Sequence, residues 1–139
     1  MTLAFDFGTK RIGVAVGSGG IAGATELQAL SAKDGIPNWE AVGRLIEQWQ
    51  PVTAVVGLPC NMDGSESEMT LRARKFGNRI KGRFSLPVHF VDERLTTRAA
   101  REEIGSRREL DGMALSSLDT VAARLILEDW FRQQQAAQQ

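Results

Sequence analysis

The sequence predicts a mixed α/β domain: an antiparallel meander of three strands, then parallel strands that cross over through helices, five strands in one sheet with helices on both faces. Three observations lead there. Two apolar runs near the start are joined by a short glycine-led link, two later apolar runs are separated by a long helix-favouring stretch, and two segments carry apolar residues at helical spacing. A chain of 139 residues is one domain's worth, enough to bury a real core.

Thr2 to Phe7 alternates, with Leu3, Phe5 and Phe7 on one face and Ala4, Asp6 and Gly8 on the other. Ile12 to Gly17 repeats the pattern. The link GTKR is short enough to make these two runs an antiparallel hairpin. Glycines 17, 19, 20 and 23 mark a second turn, and Ala24 to Leu30 reads as the third strand. From Asn38 to Gln50, Trp39, Val42, Leu45, Ile46 and Trp49 fall at helical spacing, and Pro51 ends the helix. TAVVGLP, bounded by Pro51 and Pro59, reads as a buried parallel strand. After the polar loop CNMDGSES, residues 66–82 favour helix, and LPVHFV is a strand running into Asp92, Glu93 and Arg94. Helix over Thr96–Ile104, a charged loop over 105–115 and a last helix over Ser117–Arg132 complete the domain, residues 1–132. The tail at 133–139, QQQAAQQ, is expected to fray or be disordered.

Seventeen basic residues balance seventeen acidic ones, so net charge names no partner. Its distribution says more, because Thr70–Val91 holds Arg72, Arg74, Lys75, Arg79, Lys81 and Arg83 and no acid. That stretch is either a docking surface for something anionic or a solvated helix face. A lone cysteine, Cys60, excludes an internal disulfide, and with His89 as the one histidine there is no set for a zinc cage or a Cys/His or Ser/His/Asp nucleophile. No leader and no run of about 18 apolar residues is present, so a soluble, cytoplasmic protein without membrane association is expected.

The acids carry the chemistry. Asp6, an ionisable group between two phenylalanines in a strand expected at the sheet's centre, needs a cation or hydrogen-bond donors to offset its desolvation. The competing reading is a turn cap. Asp92 and Glu93 end a parallel strand, where ligands of α/β sheets gather, and alternation lets only one of them face Asp6; an ordinary polar strand end with Arg94 pairing locally is the alternative. Asp119 opens the last helix at the edge of the stripe Leu118, Val121, Ala122, Leu125 and Ile126; with Ser116 three residues earlier, the local pattern favours a capping box, a role that does not exclude reaching a metal. Three carboxylates converging from these places suit Mg²⁺ or Mn²⁺, hard cations that prefer oxygen.

FDFGTKRIGVAVG, VVGLPCNMDGS, VDERLTTRAA and LDTVAARLILEDWF, spread in this order from Leu3 to Phe131, together resemble the YqgF (RuvX) family. The resemblance implies a ribonuclease H-like fold, kinship with Holliday junction resolvases, and a bacterial cytosolic nuclease of precursor 16S rRNA. It implies Asp6, Glu93 and Asp119 as metal-binding catalytic acids. On that basis the expected reaction is phosphodiester hydrolysis with two metal ions about 3.5–4 Å apart, Asp6 bridging them. Asn61 and Asp63 match the family's loop beside the cleft, although an Asx turn closed by Gly64 explains them equally well. Lys10 and Arg11 follow Asp6 closely enough to meet phosphates, and Arg72, Arg74, Lys75 and Arg94 are further candidates for substrate contact. One departure stands out: lysines usual before the final aspartate are replaced by MALSSLD, with Arg107 and Arg108 upstream as substitutes.

Two other functions compete with this one. A phosphotransferase of the actin and sugar-kinase type would also use D-x-G-T followed by a hairpin, but it needs a second similar domain. A non-catalytic RNA-binding factor in ribosome maturation or transcription would keep the fold without cutting. The expected partner is nucleic acid, precursor rRNA or branched DNA, and the expected state is monomer or homodimer. Paired cuts in a junction need two active sites, so a strict monomer favours RNA.

Overall fold

In the computed structural model, residues 1–19, 23–93 and 118–137 are described. The elements are β1 (Thr2–Asp6), β2 (Arg11–Gly17), β3 (Ala24–Lys33), β4 (Ile36–Pro37), α1 (Trp39–Trp49), β5 (Thr53–Leu58), α2 (Glu68–Phe84), β6 (Val88–Asp92) and α3 (Leu118–Ala137). The expected helix over 96–104, the loop over 105–115 and the Ser116 cap lie outside the described residues.

The sheet has six strands in the order β4-β3-β2-β1-β5-β6, not five. The extra strand comes from a hairpin the periodicity hides. β3 runs on past Leu30 to Lys33, and Asp34 and Gly35, both at positive φ (52° and 80°), turn the chain so that Ile36 and Pro37 pair back onto Lys33 and Ala32. Asp-Gly is the dipeptide such a two-residue turn prefers, since both central residues must adopt φ > 0. β3 also carries one extra residue opposite Ile12–Val14, a bulge that bends it. β1 pairs antiparallel with β2 and parallel with β5, which pairs parallel with β6.

Alternation along β1 assigns its two faces. Leu3, Phe5 and Phe7 join Val56, Phe76 and Ile80 in the larger core beneath α1 and α2. Ala4 faces the other way, with Ala15, Val55 and Val91, against Ala123, Ile126 and Leu127 of α3. The buried face of α3 therefore includes Ala123 and Leu127, and Leu125 is only half-buried. The helix continues to Ala137, past the expected end at Arg132 into the segment read as a frayed tail.

Local signals account for the helix ends. Asn38 caps α1, accepting from Glu40 N–H at 2.9 Å, and Gln50 turns left-handed (φ 45°) just before Pro51. Ser67 caps α2 in a reciprocal box with Thr70, whose hydroxyl also donates to Pro59 O at 2.6 Å and ties the helix to the end of β5. Ser67→Ala is expected to cost about 1 kcal/mol, read as a Tm lowered by a few degrees in thermal denaturation. Among the described residues no helix is long and apolar enough to cross a membrane.

Candidate active site

Asp6 is the last residue of β1, on the Ala4 side of the sheet, and is half-buried. Glu93 follows β6 directly; its N–H donates to Leu58 O at 3.1 Å, and its side chain is buried at 3% exposure. One strand, β5, separates them. Two strand spacings amount to about 9–10 Å, too far for carboxylates held upright on their own strands.

Gly57 removes that obstacle. Phe5 pairs with Val56 and Gly57 with Val91, so Gly57 stands in the row between Asp6 and Val91. A Cβ at Gly57 would lie 2.5 Å from Glu93 Oε2 and 2.5 Å from Ile126 Cδ1. The space a side chain would fill is occupied by the Glu93 carboxylate lying across β5, which lets it hydrogen-bond Asp6.

Burial pushes the Glu93 carboxyl above the usual carboxylate range; the Asp6 hydrogen bond draws it back, and the charge of Asp92 beside it pushes it up again. Glu93 Oε2 is buried without a hydrogen-bond partner. A buried oxygen without a donor, next to a second carboxylate, matches the donor set of a hard divalent cation. Among the described residues no group of three or more His, Cys, Asp or Glu is gathered to hold a metal. The third expected ligand, Asp119, has its side chain outside the described residues. The course of α3 bears on it: Ile126 covers Gly57 while Phe131 packs on Gly17 and Gly19 near the start of β1. α3 therefore runs against β1, and backbone position 119 stands two turns, about 10 Å, before Ile126, at the end of the sheet that carries Asp6 and Glu93.

The remaining predicted residues scatter around this pair. Beyond Asp6, Lys10 is exposed in the β1–β2 turn and Arg11 is exposed at the start of β2. A Cβ at Gly8 would collide with the Arg11 carbonyl, so this glycine serves the turn. Asn61 and Asp63 are exposed in the loop after β5 and close it on itself. Asn61 Nδ2 donates to Ser65 Oγ at 3.0 Å, Ser65 N–H donates to Asp63 Oδ1 at 2.9 Å, and Gly64 takes φ 90°. Arg74 turns toward that loop, pairing with Glu66 at 2.5 Å and lying over the Phe90 ring. Arg72 and Lys75 lie on another side of α2, near Asp34 and Phe7 on the opposite face of the sheet from Glu93. Arg94, Arg107 and Arg108 lie outside the described residues. His89 is exposed and stacks on Trp130 (ring centroids 4.5 Å apart).

Gly57 is the site residue that sequence reasoning missed. A glycine inside the apolar run TAVVGL was the available signal, since an isolated glycine in a strand marks close approach of another group.

Comparisons with known proteins give the chain's family and fold. A relative from Saccharophagus degradans, named "Putative pre-16S rRNA nuclease", is 55% identical over 131 residues, 94% of this chain and 92% of its own. One of the same name from Pasteurella multocida is 53% identical over 133 residues, 96% of this chain and 95% of its own. Among solved structures, Thermus thermophilus RuvC in complex with a Holliday junction substrate matches with a TM-score of 0.57 at 16% identity, over 97% of this chain and 95% of that one. The yeast mitochondrial Holliday junction resolvase Ydc2 matches with a TM-score of 0.58 at 10% identity, over 99% and 80%. These two share the fold, which is ribonuclease H-like. The model of the RuvX family, described as Holliday junction resolvase, matches residues 1–133, and the chain belongs to that family.

Proposed function

We propose that this chain is a metal-dependent nuclease that hydrolyses phosphodiester bonds of precursor 16S rRNA at its 5′ end. The observation that carries the reading is the buried Glu93 carboxyl beside half-buried Asp6, its Oε2 without a hydrogen-bond partner. Asp6, Glu93 and Asp119 would hold Mg²⁺ or Mn²⁺. When bound, a pair of such ions supplies the Lewis acidity that activates water and neutralises charge on the leaving oxygen. Because burial favours the neutral form of the Glu93 carboxyl, cation binding there would be favoured by rising pH. Gly57 keeps the path across β5 clear. Water attacks phosphorus and the bond to the 3′-oxygen breaks, leaving 5′-phosphate and 3′-hydroxyl ends. Lys10, Arg11 and Arg94 hold phosphates beside the acids, Asn61 and Asp63 present a stiff loop to the substrate, and Arg72, Arg74 and Lys75 attract the strand from further away. The names of the relatives support RNA as substrate; a nuclease of that substrate would act in the cytoplasm, as a monomer or homodimer.

The test is cleavage of two labelled substrates, a 16S precursor fragment with its 5′ extension and a four-way DNA junction, with Mg²⁺, Mn²⁺ or chelator. Metal-dependent cutting of the RNA, lost in Asp6→Asn while RNA binding persists, is the expected result. Cutting of the junction alone moves the substrate to branched DNA. Binding without cutting, unchanged by the substitution, replaces the enzyme with a non-catalytic RNA-binding factor.

A further inference from the structure

On the α1/α2 side of the sheet, a cavity of about 190 Å³ lies between α2 and the Asp34–Gly35 turn. Its walls are of two kinds. Phe7, Ile36 and Trp39 make an apolar side, with Ile36 half exposed and Trp39 stacked on Phe76 (centroids 6.1 Å apart, planes at 21°). Arg72, Lys75 and Arg79 make the other. Their spacing along α2, three then four residues, sets them in one stripe, which Arg83 extends by placing its guanidinium 4.4 Å from the centre of the Trp39 ring.

The charge in this groove is poorly neutralised. Arg72 pairs with Asp34 at 3.3 Å and with Glu68 at 3.9 Å, both on exposed acids, and such contacts give way easily to a competing anion. Lys75 and Arg79 are exposed and have no ion pair among the described residues. A row of cations facing aromatic and aliphatic surface is what a single polynucleotide strand binds, phosphates on one wall and base faces on the other. The cavity is too narrow for a duplex about 20 Å across, whose bases are in any case stacked away from such a wall.

Position in the fold ties the groove to the candidate site. Phe7, in its floor, follows Asp6 directly, yet the two face opposite sides of the sheet. Between them stands the β1–β2 turn with exposed Lys10, braced against the Asp34–Gly35 hairpin by Gly35 N–H donating to Thr9 O at 2.9 Å.

We infer that the groove between α2 and the Asp34–Gly35 hairpin is a binding site for a single-stranded polynucleotide segment, which passes over the β1–β2 turn to reach Asp6 and Glu93. The inference rests on the nuclease reading for what lies at the far end of the strand, but the binding itself needs no catalysis. It follows that strand holding and strand cutting are carried by opposite faces of the sheet. Asp34 is the acid that competes with the strand for Arg72.

The experiment is binding of a labelled single-stranded RNA of about 12 nucleotides, and of a blunt duplex of equal length, in chelator across a range of salt. Lys75→Ala/Arg79→Ala is compared with Arg44→Ala/Lys81→Ala, a pair of equal charge change on other surfaces. The groove pair is expected to weaken single-strand binding about tenfold at low salt and to reduce the log–log salt slope by about 1.4. Duplex binding changes less than about twofold in the same variant, and the control pair changes neither by more than that. Asp34→Asn tightens single-strand binding. Equal losses in both double variants, an equal loss for duplex, or no loss at all would overturn the inference. None of these outcomes depends on cleavage, so failure here and failure of the Asp6→Asn test are separate results.

Discussion

Glu93→Gln is expected to abolish metal-dependent cleavage while making the metal-free protein more stable at neutral pH. The two effects have one cause. Glu93 is buried, its carboxyl is raised above the usual carboxylate range mainly by that burial, and one of its oxygens lacks a donor. The sign follows from linkage. A carboxyl with a raised folded-state pKa contributes stability fully below its unfolded value, near 4.5, and loses that contribution as pH rises through the folded value. Each unit of such a raise is worth about 1.4 kcal/mol. Glutamine keeps the shape, stays neutral and donates its amide to Asp6, so this loss disappears. Thermal melts of both proteins in chelator, from pH 4.5 upward, should show the wild type falling relative to the variant as pH rises. Adding Mg²⁺ should stabilise the wild type increasingly with pH and leave the variant almost unmoved. A variant whose stability follows pH as the wild type's does, or which still cuts, would remove Glu93 from the site. The cleavage rate is expected to fall by more than about 100-fold, since even a group that only supports a metal ligand is worth 10–100-fold.

Gly57→Ala should damage the fold and the site together. The new Cβ would stand 2.5 Å from both Glu93 Oε2 and Ile126 Cδ1, so the carboxylate and α3 would both have to give way. Overpacking of this kind costs about 1–3 kcal/mol, or a Tm lowered by roughly 3–12 °C. Displacing Glu93 from its crossing should also weaken metal affinity about 10–100-fold, which titration calorimetry with Mn²⁺ would read. Gly82→Ala is the contrast: nothing lies within 4 Å of its would-be Cβ, and it sits inside α2. There the extra methyl is expected to stabilise by about 0.5–1 kcal/mol. If the two substitutions behave alike, the close approach at Gly57 is not what positions Glu93.

Much of the architecture could be read from short-range signals. The β1–β2 hairpin, the ends of α1 and the parallel strands β5 and β6 stand where periodicity, Pro51 and Pro59 put them. The Asp34–Gly35 turn was equally legible as a dipeptide, but the two-residue strand after it is too short to show any period, so the sixth strand went unseen. The basic stretch 72–83 read as one patch because a linear sequence does not display helix faces at a glance; folded, it divides, Arg74 going to Glu66 and Phe90 while Arg72, Lys75 and Arg79 line the groove.

By itself the sequence determined that Asp6 faces away from the phenylalanines of β1, and that Glu93 rather than Asp92 shares the face of Val91. Both follow from the two-residue period of a strand, a steric property of the backbone that needs no partner. Four motifs were enough to indicate the family. Only the tertiary structure decided that Glu93 reaches Asp6 across Gly57, because that contact depends on the register of three parallel-paired strands whose residues are dozens of positions apart. Register of that kind is set by burying whole faces against α1, α2 and α3, and no local stretch contains the information.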